Sequence, residues 1–419
     1  MLELFVVRGQ LAVTIFAHAT LSAVAWTATL LAATSAQRPS SDSSRPTMAQ
    51  DWWARARMIS PGASFTALLV LAQLLLFWHP MLSIAGPLLL PLAIYLLSDC
   101  ARTFLLHRSP SLPDRGPRTL TVVMGWLAGA SAILGMAWLG HPVGADLATE
   151  RVIDASAFAA FASPAGWIRV LYVSLGAFAI GAVLFAIGSA RRARPEALAL
   201  TTRSLFVVLT LQGLVGAATV RSIGRTEPAK LAAMTALWET QPEAPLELGA
   251  WPLDFTEKNR DGFQIKGLVS LWVHGNASAE VQGALQTRME DRPPVLAVYA
   301  LFQATMGLSF LAWMSALVAW RRAASGSIPR WWIALTTVPT ISLAWMSSWL
   351  LAELGRSPWT IRHLLRVGDA TWTPYGMAPT GILWFLTIII VVGVAVRRVL
   401  RLDPPPAEPT TGGPAAARP

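Results

Sequence analysis

His18 lies in the middle of the apolar stretch LAVTIFAHATLSAVAW. An ionisable side chain within a hydrocarbon-spanning segment is expensive, so it is a functional candidate first. For His18 the candidate roles are an iron ligand or a proton carrier. The competing reading is a packed imidazole bonded to a neighbouring carbonyl. Asp99 sits beside Cys100 and one turn before Arg102, a spacing that predicts a local ion pair. Glu353 precedes Leu354-Gly355-Arg356 at a helix end. His79 and His107 fall at helix ends, His141 opens HPVG, and His274 and His363 lie in or beside polar loops. No helix offers two inward carboxylates at i, i+4 or i+8, as a carboxylate proton relay would favour. Cys100 is the single cysteine, which excludes an internal disulfide and any cysteine cluster.

The elements that must position these groups are membrane helices. Of 419 residues, 54% are hydrophobic and 13% charged, half the charge of an ordinary soluble domain. Roughly 20 apolar residues cross a bilayer as a helix. The runs at 11–34, 62–79, 82–106, 119–140, 168–190, 203–222, 295–320, 331–354 and 379–399 qualify. Helices are the default because lipid offers backbone polar groups no other partner. The predicted fold is therefore an all-α polytopic membrane protein with nine transmembrane helices. Ala32-Ala33-Thr34-Ser35-Ala36 resembles a signal cleavage site, but the preceding run is long and eight more follow, so a retained first helix is expected.

A net charge of +10 would fit nucleic acid, but its distribution assigns it to topology. Arginines gather on alternate loops: Arg38, Arg45, Arg55 and Arg57; Arg108, Arg115 and Arg118; Arg191, Arg192 and Arg194; Arg321, Arg322 and Arg330; Arg397, Arg398 and Arg401. This positive-inside pattern places the N-terminus and the long loop outside and the C-terminus in the cytoplasm. Trp52, Trp53, Arg55 and Arg57 read as an interfacial anchor, and most of the other tryptophans as an aromatic belt. Residues 1–222 would hold helices one to six, 223–292 an outer segment, and 293–402 helices seven to nine. The Pro- and Ala-rich 403–419 would be a disordered cytoplasmic tail. A short helix over 228–240 followed by irregular structure is expected in the outer segment.

Several stretches in order along the chain carry a resemblance: RGQLAVTIFAHA, LGHPVGA, GWIRVLYVSLGAF, EPAKLAAMTALWETQPEAPL and AELGRSPW. Together they resemble subunit I of the cytochrome bd-type quinol oxidases. In that family subunit I carries one low-spin and two high-spin haems, takes electrons from quinol on the outer side and reduces oxygen to water. The resemblance implies that His18 is the axial ligand of a high-spin haem iron. It further implies that Arg8 and Arg356 are cofactor-binding residues and that Lys230 is the lysine of the quinol loop.

Other family positions hold residues of the wrong type. The low-spin ligands fall on Tyr172 and Thr305, with Met306 about 100° away around the helix. The third-helix glutamates fall on Tyr95 and Thr103, the eighth-helix glutamate on Met346, and the second quinol-loop acid on Thr235. Iron needs a directed lone pair, and oxygen chemistry needs a protonatable group in a dry site. The expectation is therefore a divergent paralogue of subunit I in a bacterial or archaeal plasma membrane, with at most one haem, at His18. Its expected partners are membrane lipids and other oxidase subunits, either subunit II or a ligand-complete subunit I homologue, with no nucleic acid. The alternatives are an active subunit with rearranged ligands, or a non-redox scaffold that binds quinol or lipid.

Overall fold

A computed structural model describes residues 2–36, 47–145, 156–191, 195–325, 333–373 and 377–400. The expected tail at 403–419 and the loop arginines Arg38, Arg45, Arg192, Arg194, Arg330 and Arg401 lie outside the described residues. Among the described residues, seven helices are long and apolar enough to cross a bilayer: Val6–Ser35, Met48–Phe77, Gly86–Arg108, Arg115–Gly140, Pro164–Ile187, Ala197–Thr226 and Val295–Ala323. They belong to α1 (Leu2–Ser35), α2 (Met48–Phe77), α4 (Leu89–Arg108), α5 (Arg115–Gly140), α6 (Pro164–Arg191), α7 (Pro195–Thr226) and α10 (Val295–Ala324). Short helices α3 (His79–Ile84), α8 (Pro228–Thr235) and α9 (Leu268–His274) connect them. Pro80 lies in the first turn of α3, a place where its missing N–H costs nothing.

Two further long helices follow. A π-helical turn at Ile333–Thr337 leads into α11 (Val338–Leu354), and α12 spans Met377–Leu400 with an apolar stretch over Gly381–Ala395. α1 is the hub of the bundle and packs on α2, α5, α6 and α12. α10 joins α7 to α11. The largest core cluster gathers Leu21, Trp52, Trp53, Ile59, Phe178, Phe185 and Trp345 from α1, α2, α6 and α11.

Trp52 and Trp53 correct the anchor reading. Both are buried, and the Trp53 indole donates to the Ser109 carbonyl at 3.0 Å. Arg55 is buried as well and pairs with Asp51 at 3.1 Å, while Arg57 donates to the Pro110 carbonyl at 2.8 Å. The start of α2 is thus clamped to the end of α4 by inward-facing groups.

The 223–292 segment is more ordered than expected. α8 stops at Thr235, not at 240, because Ala236 adopts φ 52° and turns the chain. The Leu237 N–H then closes on the Ala232 carbonyl at 2.9 Å, a bond that satisfies a carbonyl left open at the helix end. Two small antiparallel pairs follow, Leu246–Leu248 with Phe263–Ile265 and Trp251–Leu253 with Lys258–Arg260. A third pair, Trp359–Ile361 with Leu365–Arg366, lies after α11. The strict all-α description therefore holds for the bundle and not for its loops.

Candidate functional site

Beside the start of the 223–292 segment, charged groups from distant parts of the chain converge on two buried ones, Glu227 and Lys230. Glu227 is the N-cap of α8, and Pro228 at the first helical position fixes the entry of the chain. Its carboxylate is 2% exposed and pairs with Arg169 of α6 and with Lys230, whose Nζ lies 3.5 Å away. Lys230 is itself buried, and its stem crosses Gly355, where a Cβ would sit 2.7 Å from Lys230 Cε. A side chain at 355 would displace the lysine, so glycine is required there. Arg356 pairs with Glu353 at 2.8 Å, and Arg362 donates to the Thr226 carbonyl at 2.9 Å. Arg8, on the first turns of α1, is an electrostatic neighbour of Glu353 and Arg356.

Cations outnumber anions in this cluster: Arg8, Arg169, Lys230, Arg356 and Arg362 against Glu227 and Glu353. Burial pushes the Lys230 ammonium well below the ordinary lysine value, and Arg169 and Arg356 push the same way against Glu353. His141 is lowered by burial and then by Arg362 and Arg169. Arg362 is lowered by burial alone. Such a surplus of donors favours an oxygen-rich or anionic group. Thr235, at the second acid position, folds back onto its own helix and donates to the Leu231 carbonyl at 3.0 Å.

Three of the four expected site residues, Arg8, Lys230 and Arg356, thus share one end. His18 does not join them. It lies ten residues along α1 from Arg8, about 15 Å at helical rise. Its Nδ1 is 3.0 Å from the Ala63 carbonyl oxygen, and its Nε2 is 2.8 Å from the Tyr95 hydroxyl. Tyr95, Asp99 and Thr103 recur at i, i+4 and i+8 on one face of α4. The predicted ion pair is present, with Arg102 Nε 3.1 Å from Asp99 Oδ1. Asp99 also accepts from Ser64 at 3.3 Å, and Ser64 is 3.0 Å from Thr103.

The residues at which the resemblance puts the low-spin ligands are equally self-contained. Tyr172 is hydrogen-bonded to Ser348 and Gln212. Thr305 donates to the Leu301 carbonyl at 2.7 Å and lies 3.0 Å from the Ser347 hydroxyl. Met306 packs at the edge of the outer-segment core, and Met346 is 40% exposed on the surface of α11. Trp345 fills the ground between: its indole reaches Thr20 at 3.2 Å, and a Cβ on Gly176 would stand 3.0 Å from its ring.

A family model described as "Cytochrome bd terminal oxidase subunit I" matches residues 118–402. The chain belongs to this family. The subunit I chain is 28% identical over 376 residues to the "Putative cytochrome bd menaquinol oxidase subunit I" of Bacillus subtilis (strain 168), covering 83% of this chain and 84% of that one. It is 23% identical to the "Cytochrome bd-II ubiquinol oxidase subunit 1" of Escherichia coli (strain K12), over 61% of this chain and 64% of that protein. Among solved structures, the bd oxidase from Geobacillus thermodenitrificans superimposes with a TM-score of 0.84 at 20% identity, over 95% of this chain and 98% of the other.

The family implies haem and quinol. Tyr172 and Thr305, where the resemblance implies haem ligands, do not fit that role, because each oxygen is engaged by neighbouring side chains and neither position offers His or Met. Sequence reasoning missed Arg169, Glu227 and Arg362. The available signal was a lone arginine in the apolar run GWIRVLYVS, which needs a buried partner.

Proposed function

We propose that this chain is a membrane subunit of a cytochrome bd-like respiratory quinol oxidase complex, a divergent paralogue of subunit I with at most one haem site. Of the expected iron-ligand positions, His18 is the one that keeps the residue type the resemblance implies. The observation that carries the reading is the replacement of the low-spin pair by Tyr172 and Thr305, both hydrogen-bonded within the protein. Fold similarity does not bring function without its site.

In this reading all nine long helices span a bacterial plasma membrane, with the N-terminus and the 223–292 segment outside and the C-terminus in the cytoplasm. Electron transfer to oxygen runs through a partner, either subunit II or a ligand-complete subunit I homologue. Arg169, Lys230, Arg356 and Arg362 keep the outer end able to hold a quinol oxygen or an anionic lipid head group.

Affinity purification of the tagged chain from its own membranes tests this. The expected result is a co-purifying subunit, with quinol-dependent oxygen consumption that disappears when the two are separated. A chain that purifies alone with two or more haems and full oxidase activity overturns it.

A further inference from the structure

His18 carries the orientation of a metal-binding histidine, with one ring nitrogen held by a backbone carbonyl. The Ala63 oxygen can only accept, so Nδ1 bears the proton and Nε2 holds the lone pair. The Tyr95 hydroxyl, 2.8 Å from Nε2, is therefore the donor in that bond. Its ring stands edge-on to the imidazole, with centroids 5.6 Å apart and planes at 88°. Ser22 adds a second hydroxyl 3.4 Å from the same nitrogen. A metal on imidazole nitrogen sits at about 2 Å along the lone pair. The tyrosine oxygen claims that direction, and iron cannot share it.

We propose that the Tyr95 hydroxyl takes the place of iron on His18, so that this chain binds no haem at this residue. The inference rests on the reading above and sharpens "at most one haem" to none on His18. The same face of α4 carries further polar groups that are already satisfied within the protein. Asp99, one turn along, is engaged by Arg102 and Ser64, and Ser64 and Ser60 both reach Thr103. Arg102 and Trp26 press on α5, where a Cβ at Gly125 would lie 3.0 Å from each. A polar group satisfied inside a low-dielectric core is costly to unpair, so the His18–Tyr95 bond resists displacement.

The test compares haem per chain and visible spectra in the purified complex for the unmodified chain, His18→Gln and Tyr95→Phe. Glutamine can donate to Ala63 and accept from Tyr95, so His18→Gln guards against misfolding. Thermal melting of both variants checks that the fold persists. The proposal expects both spectra and haem content to be unchanged, and a lowered melting temperature for Tyr95→Phe. Loss of about one haem per chain in His18→Gln, or a spectral shift in Tyr95→Phe, overturns it while leaving the ligand-poor reading intact. Two or more haems on this chain, none sensitive to His18→Gln, would sink that reading and spare this inference.

Discussion

The end of the bundle beside the 223–292 segment and the bundle interior differ in how they match the residue types that the family resemblance implies. At that end Lys230, Arg356 and Arg8 keep the residue types that the family resemblance implies, and they converge with Arg169, Glu227 and Arg362. In the interior His18 alone keeps its type, and its partners are protein hydroxyls and a carbonyl. The outer cluster has more charged donors than acceptors. The interior has each expected ligand position closed by a neighbour. A cluster with surplus cationic donors and an interior closed on itself are the two features on which the proposed ligand-poor subunit rests.

Substitutions sharpen this contrast, beginning with the most damaging. Glu227→Ala strands Arg169 and Lys230 in a buried site and should cost about 3–5 kcal/mol, seen as a collapse of the melting temperature in detergent. Glu353→Ala, at a side chain 38% exposed, should stay within about 1 kcal/mol. Equal losses would break the claim that Glu227 is the keystone. Gly355→Ala drives a methyl into Lys230 and the Leu351 carbonyl and should cost about 1–3 kcal/mol. An unchanged melting curve would contradict the close crossing.

Lys230→Met tests the electrostatics through pH. The folded ammonium titrates below its unfolded value, so between the two values the unfolded state holds more protons and native stability rises with pH. The methionine variant should therefore gain most below the folded value, and the gain should shrink as pH climbs toward the ordinary lysine value. A gain that grows with pH would reverse the sign. In the interior, Thr305→Val removes a hydroxyl pair worth only about 0.6 kcal/mol in a membrane bundle. Small destabilisation with an unaltered visible spectrum is expected, and a bleached haem band would place a cofactor at Thr305.

The contrast also explains what was legible in the sequence. His18, Lys230, Arg356 and Arg8 are visible because short motifs fix their places. The Arg169–Glu227 pair is not, since it joins the start of α6 to the cap of α8 and depends on how the helices assemble. Tyr95 reads as a loss when taken alone. Its spacing with Asp99 and Thr103 was readable, yet only packing of α4 against α1 reveals that the phenol lands on His18. Long apolar runs announced the membrane helices. The stop of α8 at Ala236 and the inward turn of Trp52 and Trp53 were hidden because tertiary contacts, not local propensity, decide them.

The most direct test is electron paramagnetic resonance and haem quantitation on this chain separated from its partners in detergent. A chain with the low-spin site dismantled and His18 capped by Tyr95 shows no low-spin ferric haem signal and no stoichiometric haem. A low-spin signal together with two or more haems per chain would contradict the account.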